Sequence, residues 1–139
     1  LTLAQLLPLT GAVVVCTPQR VAQDDARRAV RMFQQLDVTV LGVVENMSYF
    51  IGDDGKTYDI FGRGGAEIMA RTMDLPYLGA IPIHMDLRRN SDEGTPLENW
   101  RGNPTLAGEL DGVCQRVASR ISIITVAGGL IQPTLSVTG

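Results

Sequence analysis

The chain has 139 residues, of which 45% are hydrophobic and 19% are charged, the profile of a globular protein and not of a disordered chain. Lys and Arg together number 12 and Asp and Glu 15, so the net charge is −3, and aromatic residues make up only 5%. A weakly acidic chain with few aromatic residues and no basic run is not expected to bind nucleic acid.

The two chain ends and the cysteines bear on where the protein works. Residues 1–19 and 121–139 carry no charge, but Gly, Pro and polar residues cut both stretches into short apolar runs, so neither a membrane span nor a signal peptide is predicted. Cys16 and Cys114 are the only cysteines, and their wide separation supports neither a disulfide framework nor a cysteine-only metal site. We expect two reduced, buried thiols in a cytoplasmic protein.

The first part of the chain has the pattern of a strand, a helix and a second strand. The apolar run 11–17 predicts a strand buried on both faces, and Thr17-Pro18 predicts a helix start, with Thr as the cap. Residues 39–44 form a second apolar run, which completes a right-handed βαβ unit. The apolar residues between the two runs share one broad helix face: Val21, Ala22, Ala26, Ala29, Val30, Phe33 and Leu36.

The middle of the chain is rich in glycine. Asp-Gly within the segment 52–55 separates two β-prone runs, 49–51 and 56–60, and predicts a hairpin. Gly62, Gly64 and Gly65 lead into a predicted helix over 66–73; their spacing matches a phosphate-binding loop only weakly and favours a flexible connector.

The last part of the chain predicts a third strand and a long helix. Residues 77–81 indicate a strand that Pro82 stops, 86–90 a single helical turn and 91–103 a loop. Asn103-Pro104 predicts a capped helix start. The apolar positions that follow have helical spacing: Leu106, Leu110, Val113, Cys114, Val117 and Ile121.

This order of elements predicts an α/β protein with a mainly parallel sheet. Ligands of such sheets bind at the carboxyl ends of the strands. In this chain those ends are Cys16-Thr17, Glu45-Asn46 and Ile81-Pro82. We expect them to form the rim of a site.

Several short stretches together resemble one protein family. The string Glu-Asn-Met-Ser-Tyr-Phe with the downstream Phe-Gly-x-Gly-Gly is the most specific. In chain order the stretches are Leu1–Gln5, Thr17–Gln19, Gly42–Phe50, Asp59–Gly65, Leu78–Pro82 and Asp92–Pro96. They resemble the Mrp/ApbC family of P-loop ATPases, relatives of MinD and ParA, over residues 1–126. The resemblance implies part of a doubly wound, mainly parallel P-loop NTPase sheet, with 127–139 as a tail.

The family's phosphate loop has no counterpart in these residues, since no G-x-x-x-x-G-K-[ST] motif occurs. Because residue 1 is Leu and the resemblance starts there, we expect the chain to be the C-terminal portion of a longer ATPase and to be inactive alone. The resemblance also implies ATP with Mg²⁺ in the full-length protein, a homodimer and iron–sulfur apo-protein clients. A sheet that lacks its first strands would have an unpaired apolar edge, which favours dimerisation.

The resemblance also implies where the base of ATP binds. An Asn at the position of Asn46 contacts adenine in the family, and a carboxamide offers the matching donor and acceptor. Family members hold the base just past the Pro that matches Pro82, so Ile83 and His84 are expected near it, although many members have Asp in place of His84. Asp25 could lie near a dimer interface or act as a first-turn acid, and the family's recurrent Arg at Arg88 is also typical of a solvated helix charge.

The segment after Ser-Tyr-Phe departs from the family. Many Mrp-type proteins have Cys-x-x-Cys here, and two chains pair to hold a bridging cluster on four thiolates. Here the segment is Ile51-Gly-Asp-Asp-Gly-Lys56, and hard carboxylate oxygens are poor ligands for such a cluster. Three functions stay open: an Mrp-type ATP-binding protein of iron–sulfur cluster assembly, a MinD/ParA-like regulatory ATPase without a cluster, and a non-catalytic dimerisation and base-binding module.

Overall fold

A computed structural model describes residues 5–128 of the chain. Its three-stranded sheet has the order β1 (Ala12–Cys16), β2 (Val40–Glu45), β5 (Tyr77–Ala80), and both strand pairs are parallel. A separate antiparallel hairpin joins β3 (Phe50–Ile51) to β4 (Thr57–Tyr58). The helices are α1 (Arg20–Gln35), α2 (Gly65–Thr72), α3 (Met85–Asp92), α4 (Glu98–Arg101) and α5 (Pro104–Ala127).

Helices cover both faces of the parallel sheet. On one face α1 and α2 bury Val30 and Met69, each fully inaccessible, against Val43 of the central strand. On the other face α5 packs Val113 against Val44 and Leu78. Parallel strands buried on both sides need continuous apolar runs, which is why the runs at 11–17 and 39–44 predicted them. The α/β class, the parallel sheet and the hairpin are confirmed.

Two irregularities interrupt the strand pairing, and α5 compensates for both. The partners of β1 jump from Val40 to Gly42, and those of β2 jump from Tyr77 to Gly79, so Leu41 and Leu78 are passed over. From α5, Arg120 Nε donates to the Leu41 carbonyl at 3.3 Å and Arg116 Nε donates to the Leu78 carbonyl at 2.5 Å. The two carbonyls are thereby paired in a region where unpaired backbone groups are costly.

The predicted start of the first helix was wrong by two residues. α1 begins at Arg20, and its capping residue Gln19 makes no side-chain hydrogen bond to the helix. The first main-chain helical hydrogen bond runs from Gln23 N–H to the Gln19 carbonyl. The Pro18 carbonyl accepts instead from the side chain of Gln23, at 2.6 Å, and so lies outside the helix. Val21, in the first turn of α1, is 69% exposed and does not belong to the buried face.

The region predicted as one turn and a loop contains two helices. α3 is eight residues long, and α4 lies within the segment 91–103. The buried side chains of Asn90 and Asn99 hold the two helices together through a 2.8 Å hydrogen bond. Both helices are largely polar, so apolar periodicity did not reveal them.

The last helix begins as predicted and ends later. Asn103 Oδ1 accepts from Leu106 N–H at 3.0 Å, so the predicted cap is confirmed, and the helix continues to Ala127. Cys114 is exposed and Ile121 is 39% exposed, because they lie beside the narrow stripe that faces the sheet. Of the predicted tail 127–139, residues 129–139 lie outside the described part of the chain.

Between residues 5 and 128, no helix has both the length and the apolar composition that a bilayer crossing requires.

Candidate pocket at the carboxyl ends of two strands

The backbone pairing between the central strand and β5 continues beyond both strands. Ile81 N–H donates to the Glu45 carbonyl at 2.8 Å, Ser48 N–H to the Ile81 carbonyl at 3.0 Å and Ile83 N–H to the Tyr49 carbonyl at 2.7 Å. Residues 45–49 thus run beside 81–83, except that two residues between Glu45 and Ser48 leave the ladder. These two residues are Asn46 and Met47.

At this point Asn46 leaves the pairing with residues 81–83 but keeps a main-chain hydrogen bond to β1. Its N–H donates to the Cys16 carbonyl of β1 at 2.8 Å, and its Oδ1 accepts from Met47 N–H at 2.9 Å. Met47 has a φ of 54°, which is uncommon outside glycine and marks a local backbone constraint. The carboxamide is therefore held by its oxygen, and its Nδ2 hydrogens have no partner among residues 5–128.

Asn46 lies at a pocket of about 360 Å³ between the two strand ends and α3. Pro82, Ile83 and His84 also line the pocket, so all four residues predicted to surround a base come together. The opposite wall belongs to α3: Met85, Leu87, Arg88, Ser91 and Asp92. A concave, mainly apolar surface with a few polar groups is typical of small-molecule sites.

His84 serves the fold at this pocket as well as lining it. It is the capping residue of α3, where its Nδ1 accepts from Asp86 N–H at 3.1 Å, and its Nε2 lies 2.9 Å from Asn103 Nδ2. Because Asn103 caps α5, the imidazole links the starts of two helices. Both ring nitrogens are engaged, so His84 forms the pocket wall through its position.

Two further candidates, Arg88 and Asp25, form ion pairs on exposed helix faces. Arg88 lines the same pocket but pairs with Asp92 at 3.0 Å, and both side chains are largely exposed. Asp25 pairs with Arg28 at 3.1 Å on the exposed face of α1 and lines a different groove, of about 500 Å³, along β1 and α1.

Sequence analysis missed the role of Glu45 below the pocket. Its side chain is fully buried and accepts three hydrogen bonds: from Ser48 Oγ at 2.6 Å, from Gly64 N–H at 3.0 Å and from Ala66 N–H at 2.8 Å. One signal was available, because a Glu that ends an apolar run buried on both faces needs internal donors. The sequence distance to Gly64 and Ala66 concealed which donors those are.

These contacts correct the prediction for the glycines before the second helix. Gly64 caps α2 with a φ of 76°, and the Cβ of any other residue at Gly65 would lie 2.7 Å from the Pro18 carbonyl oxygen. The N–H groups at this helix start bind the Glu45 carboxylate, an anion of the chain itself. The segment is a specific contact between elements, and the amides that bind Glu45 are not available to a phosphate.

The hairpin tip is organised by its own carboxylate. Asp54 accepts from Lys56 N–H at 3.0 Å and from the Tyr58 hydroxyl at 2.7 Å, and these two hydrogen bonds lower the pKa of Asp54.

Within the described residues, no three His, Cys, Asp or Glu side chains are grouped so that they could hold a metal ion.

The two thiols differ in their surroundings. Cys16 is buried at the end of β1, where burial and, to a lesser degree, the charge of Glu45 raise its pKa. Cys114 is exposed on α5, so the prediction of two buried thiols was wrong for Cys114.

Comparison with known proteins finds relatives whose descriptions all refer to iron or iron–sulfur cluster transfer or carriage. A ParA family model described as NUBPL iron-transfer P-loop NTPase matches residues 1–118. An iron–sulfur cluster carrier protein of Synechocystis is 43% identical over 125 residues, which are 88% of this chain and 35% of that protein. The iron–sulfur cluster transfer protein NUBPL of Dictyostelium discoideum is 40% identical over 89% of this chain and 39% of its own length. The chain thus spans little more than a third of these relatives.

A solved structure supports the same relationship. A nucleotide-binding protein from Archaeoglobus fulgidus, solved in complex with ADP, matches with a TM-score of 0.56 and 39% identity over 63% of this chain and 36% of that one. The match to this neighbour agrees with the parallel α/β sheet. The chain belongs to the ParA family of NUBPL iron-transfer P-loop NTPases.

Proposed function

We propose that this chain forms the base-binding side of an ATP site in a Mrp-type protein of iron–sulfur cluster assembly or transfer. The observation that carries the proposal is the pocket that Asn46 shares with Pro82, Ile83 and His84. The names of the relatives and the ADP in the neighbouring structure support the same function.

The chemistry of the pocket suits adenine. The free Nδ2 of Asn46 can donate to a ring nitrogen of the base, and the second lone pair of its Oδ1 can accept from the exocyclic amine. Pro82 has no N–H, so it contributes an apolar wall without an unpaired donor. Phosphates and Mg²⁺ are assigned to no residue of this chain, which contains no G-x-x-x-x-G-K-[ST] motif.

The described residues do not fit the iron–sulfur cluster that the relatives carry. The hairpin tip offers only carboxylates, and Asp54 is already engaged by Lys56 and Tyr58. Hard oxygen donors do not replace thiolates on iron–sulfur clusters. We therefore assign the cluster, as cargo, to no residue of this chain.

An Asn46→Ala substitution tests the base site. We expect the purified protein to bind ATP about tenfold or more weakly, because a side-chain pair to a base edge contributes about 1–3 kcal/mol. Isothermal titration calorimetry measures the affinity. Gln35→Ala, which removes an exposed carboxamide at the far end of α1, is the matched control and should bind as before. Unchanged affinity of Asn46→Ala would exclude Asn46 as a base contact.

A homodimer in the cytoplasm that serves apo-protein clients is part of the same proposal. Support comes from β1, which has no strand partner on its outer side among residues 5–128 and whose Val15 is 56% exposed. An apolar edge strand of this kind favours pairing with another chain. Size-exclusion chromatography with light scattering, with and without ATP, should show a dimer, and a clean monomer in both conditions would contradict it.

A MinD/ParA-like regulatory ATPase without a cluster is the second candidate, favoured by the thiol-free segment 51–56. Anaerobic reconstitution with iron and sulfide separates the two candidates. If the purified protein binds a cluster, measured as iron and sulfide content and visible charge-transfer absorbance, the regulatory candidate fails.

A further inference from the structure

We infer that Glu45 is the positioning residue of the pocket: its buried carboxylate clamps both ends of the inserted segment 46–64 and thereby sets the direction of Asn46. The inference rests on the proposed nucleotide site and names the group that builds it. Glu45 itself does not line the pocket.

The clamp joins two places that are far apart in sequence. Ser48 lies where the inserted segment leaves the central strand, and its hydroxyl donates to Glu45 Oε1 at 2.6 Å. Gly64 and Ala66 lie where the segment returns, and their N–H groups donate to Oε1 at 3.0 Å and to Oε2 at 2.8 Å. One carboxylate thus holds the outgoing and returning ends, with the hairpin between them.

The groups that surround the Glu45 side chain are all hydrogen-bond donors, so only a side chain with two acceptor oxygens can bind all of them. Glu45 and Ser48 are 0% and 1% exposed, so neither can exchange a lost bond for one to bulk water. Two of the donors are main-chain N–H groups at the start of α2, which cannot turn away and whose helix dipole favours a negative charge. A glutamine of the same shape would direct its NH₂ group at one or more of these donors.

The clamp acts on Asn46 through the backbone. Asn46 and Met47 are bounded by Glu45, whose carbonyl accepts from Ile81 N–H, and by Ser48, whose side chain binds the carboxylate. Because hydrogen bonds hold both Glu45 and Ser48, Asn46 and Met47 must connect them by a short turn outside the pairing with residues 81–83. Met47 adopts a φ of 54° in this turn. Loss of the hydrogen bond between Ser48 and the Glu45 carboxylate leaves only main-chain bonds, from Ser48 N–H to Ile81 and from Asn46 N–H to Cys16. We therefore expect Asn46 to point into the pocket for less of the time.

The test compares Glu45→Gln in two backgrounds. In the otherwise unchanged protein we expect ATP to bind about tenfold more weakly, the loss of one hydrogen bond to the base. In an Asn46→Ala background the same substitution should have no further effect on ATP, because the side chain that it displaces is already absent. Hydrogen exchange of the Gly64 and Ala66 amides should accelerate, which reports the opened clamp directly.

Two variants serve as controls. Glu67→Gln removes an exposed carboxylate of α2 that pairs with Arg71 and should leave the ATP affinity unchanged. Ser48→Ala keeps the carboxylate and both amide bonds and should produce a smaller loss for ATP in the same direction, which keeps the inference testable if Glu45→Gln does not fold.

The outcomes separate the inference from the proposed function. If Asn46→Ala weakens ATP binding but neither Glu45→Gln nor Ser48→Ala does, the base site stands and the clamp is wrong. If Glu45→Gln weakens ATP binding by the same factor in the Asn46→Ala background, Glu45 stabilises the fold only, and the inference is overturned. If Asn46→Ala binds ATP normally, the proposed function fails, and a positioning role toward that base fails with it.

Discussion

At the scale of single residues, His84 lines the pocket with ring nitrogens that are both engaged by the protein itself. His84 caps α3 through Asp86 N–H and touches Asn103, which caps α5. The related Asp that the family resemblance implies here is a strong capping residue, so capping explains both residue types.

Substitution of His84 separates capping from base contact. His84→Ala should lower the free energy of unfolding by about 1 kcal/mol, the usual loss for a removed cap, and His84→Asp should keep most of it. Urea denaturation measures both. Neither variant should weaken ATP binding as strongly as Asn46→Ala, and a larger loss of ATP affinity in His84→Asp would instead indicate a direct contact.

The two cysteines are expected to react differently. Cys114 is exposed, whereas Cys16 is buried and its pKa is raised by burial and by Glu45, so little reactive thiolate is present near neutral pH. An aromatic disulfide reagent should label one thiol quickly in the folded protein and both in urea. Cys114→Ser should abolish the fast phase; a fast phase that survives would place a reactive thiol at Cys16.

At the scale of elements, the sheet depends on α5 for more than apolar cover. Its arginines pair the carbonyls of Leu41 and Leu78, the two residues that strand pairing passes over. Gly79 makes this approach possible, since a Cβ there would lie 2.5 Å from the Arg116 guanidinium. The close fit of α5 on the sheet is therefore polar as well as apolar.

Arg116→Met tests this contact. The substitution keeps the apolar stem but leaves the carbonyl of the buried Leu78 unpaired, so the free energy of unfolding should fall by about 1–3 kcal/mol. Urea denaturation gives the value. Arg71→Met removes an arginine from an exposed pair with Glu67 and should change stability by less than about 0.5 kcal/mol. Equal effects of the two substitutions would contradict the role of Arg116.

At the scale of the whole molecule, the phenols of the buried Tyr49 and the partly buried Tyr77 make stability depend on alkaline pH. Burial, with the carboxylate of Glu109 nearby, raises the pKa of Tyr49 to about 12. Burial, with the charge of Glu45, raises the pKa of Tyr77 to about 12 from the ordinary value of 10.0. The folded state thus favours the neutral phenols, and their contribution is complete below pH 10.

The urea midpoint should therefore fall as the pH rises from 10 to about 12, because the unfolded chain loses these protons first. Ultraviolet absorbance of the phenolate follows the same titration. Tyr49→Phe removes one of the two groups and should flatten the decline. A decline of the same slope in Tyr49→Phe would assign the effect to other groups.

The sequence by itself determined the features that local chemistry specifies. Apolar runs predicted the parallel strands, Asp-Gly the hairpin and Asn103-Pro104 the start of the last helix, since each depends on neighbours in the chain. The resemblance also named Asn46, Pro82, Ile83 and His84, which the fold brings to one pocket. Whether they bind a base stays a prediction.

Only the tertiary structure decided how that pocket is held. The polar helix α4 depends on Asn99 meeting Asn90, and the Glu45 clamp on amides 19 and 21 residues away. A buried polar group must find partners, but nothing in its neighbouring residues says which ones, because the fold alone brings distant donors within 3 Å of it.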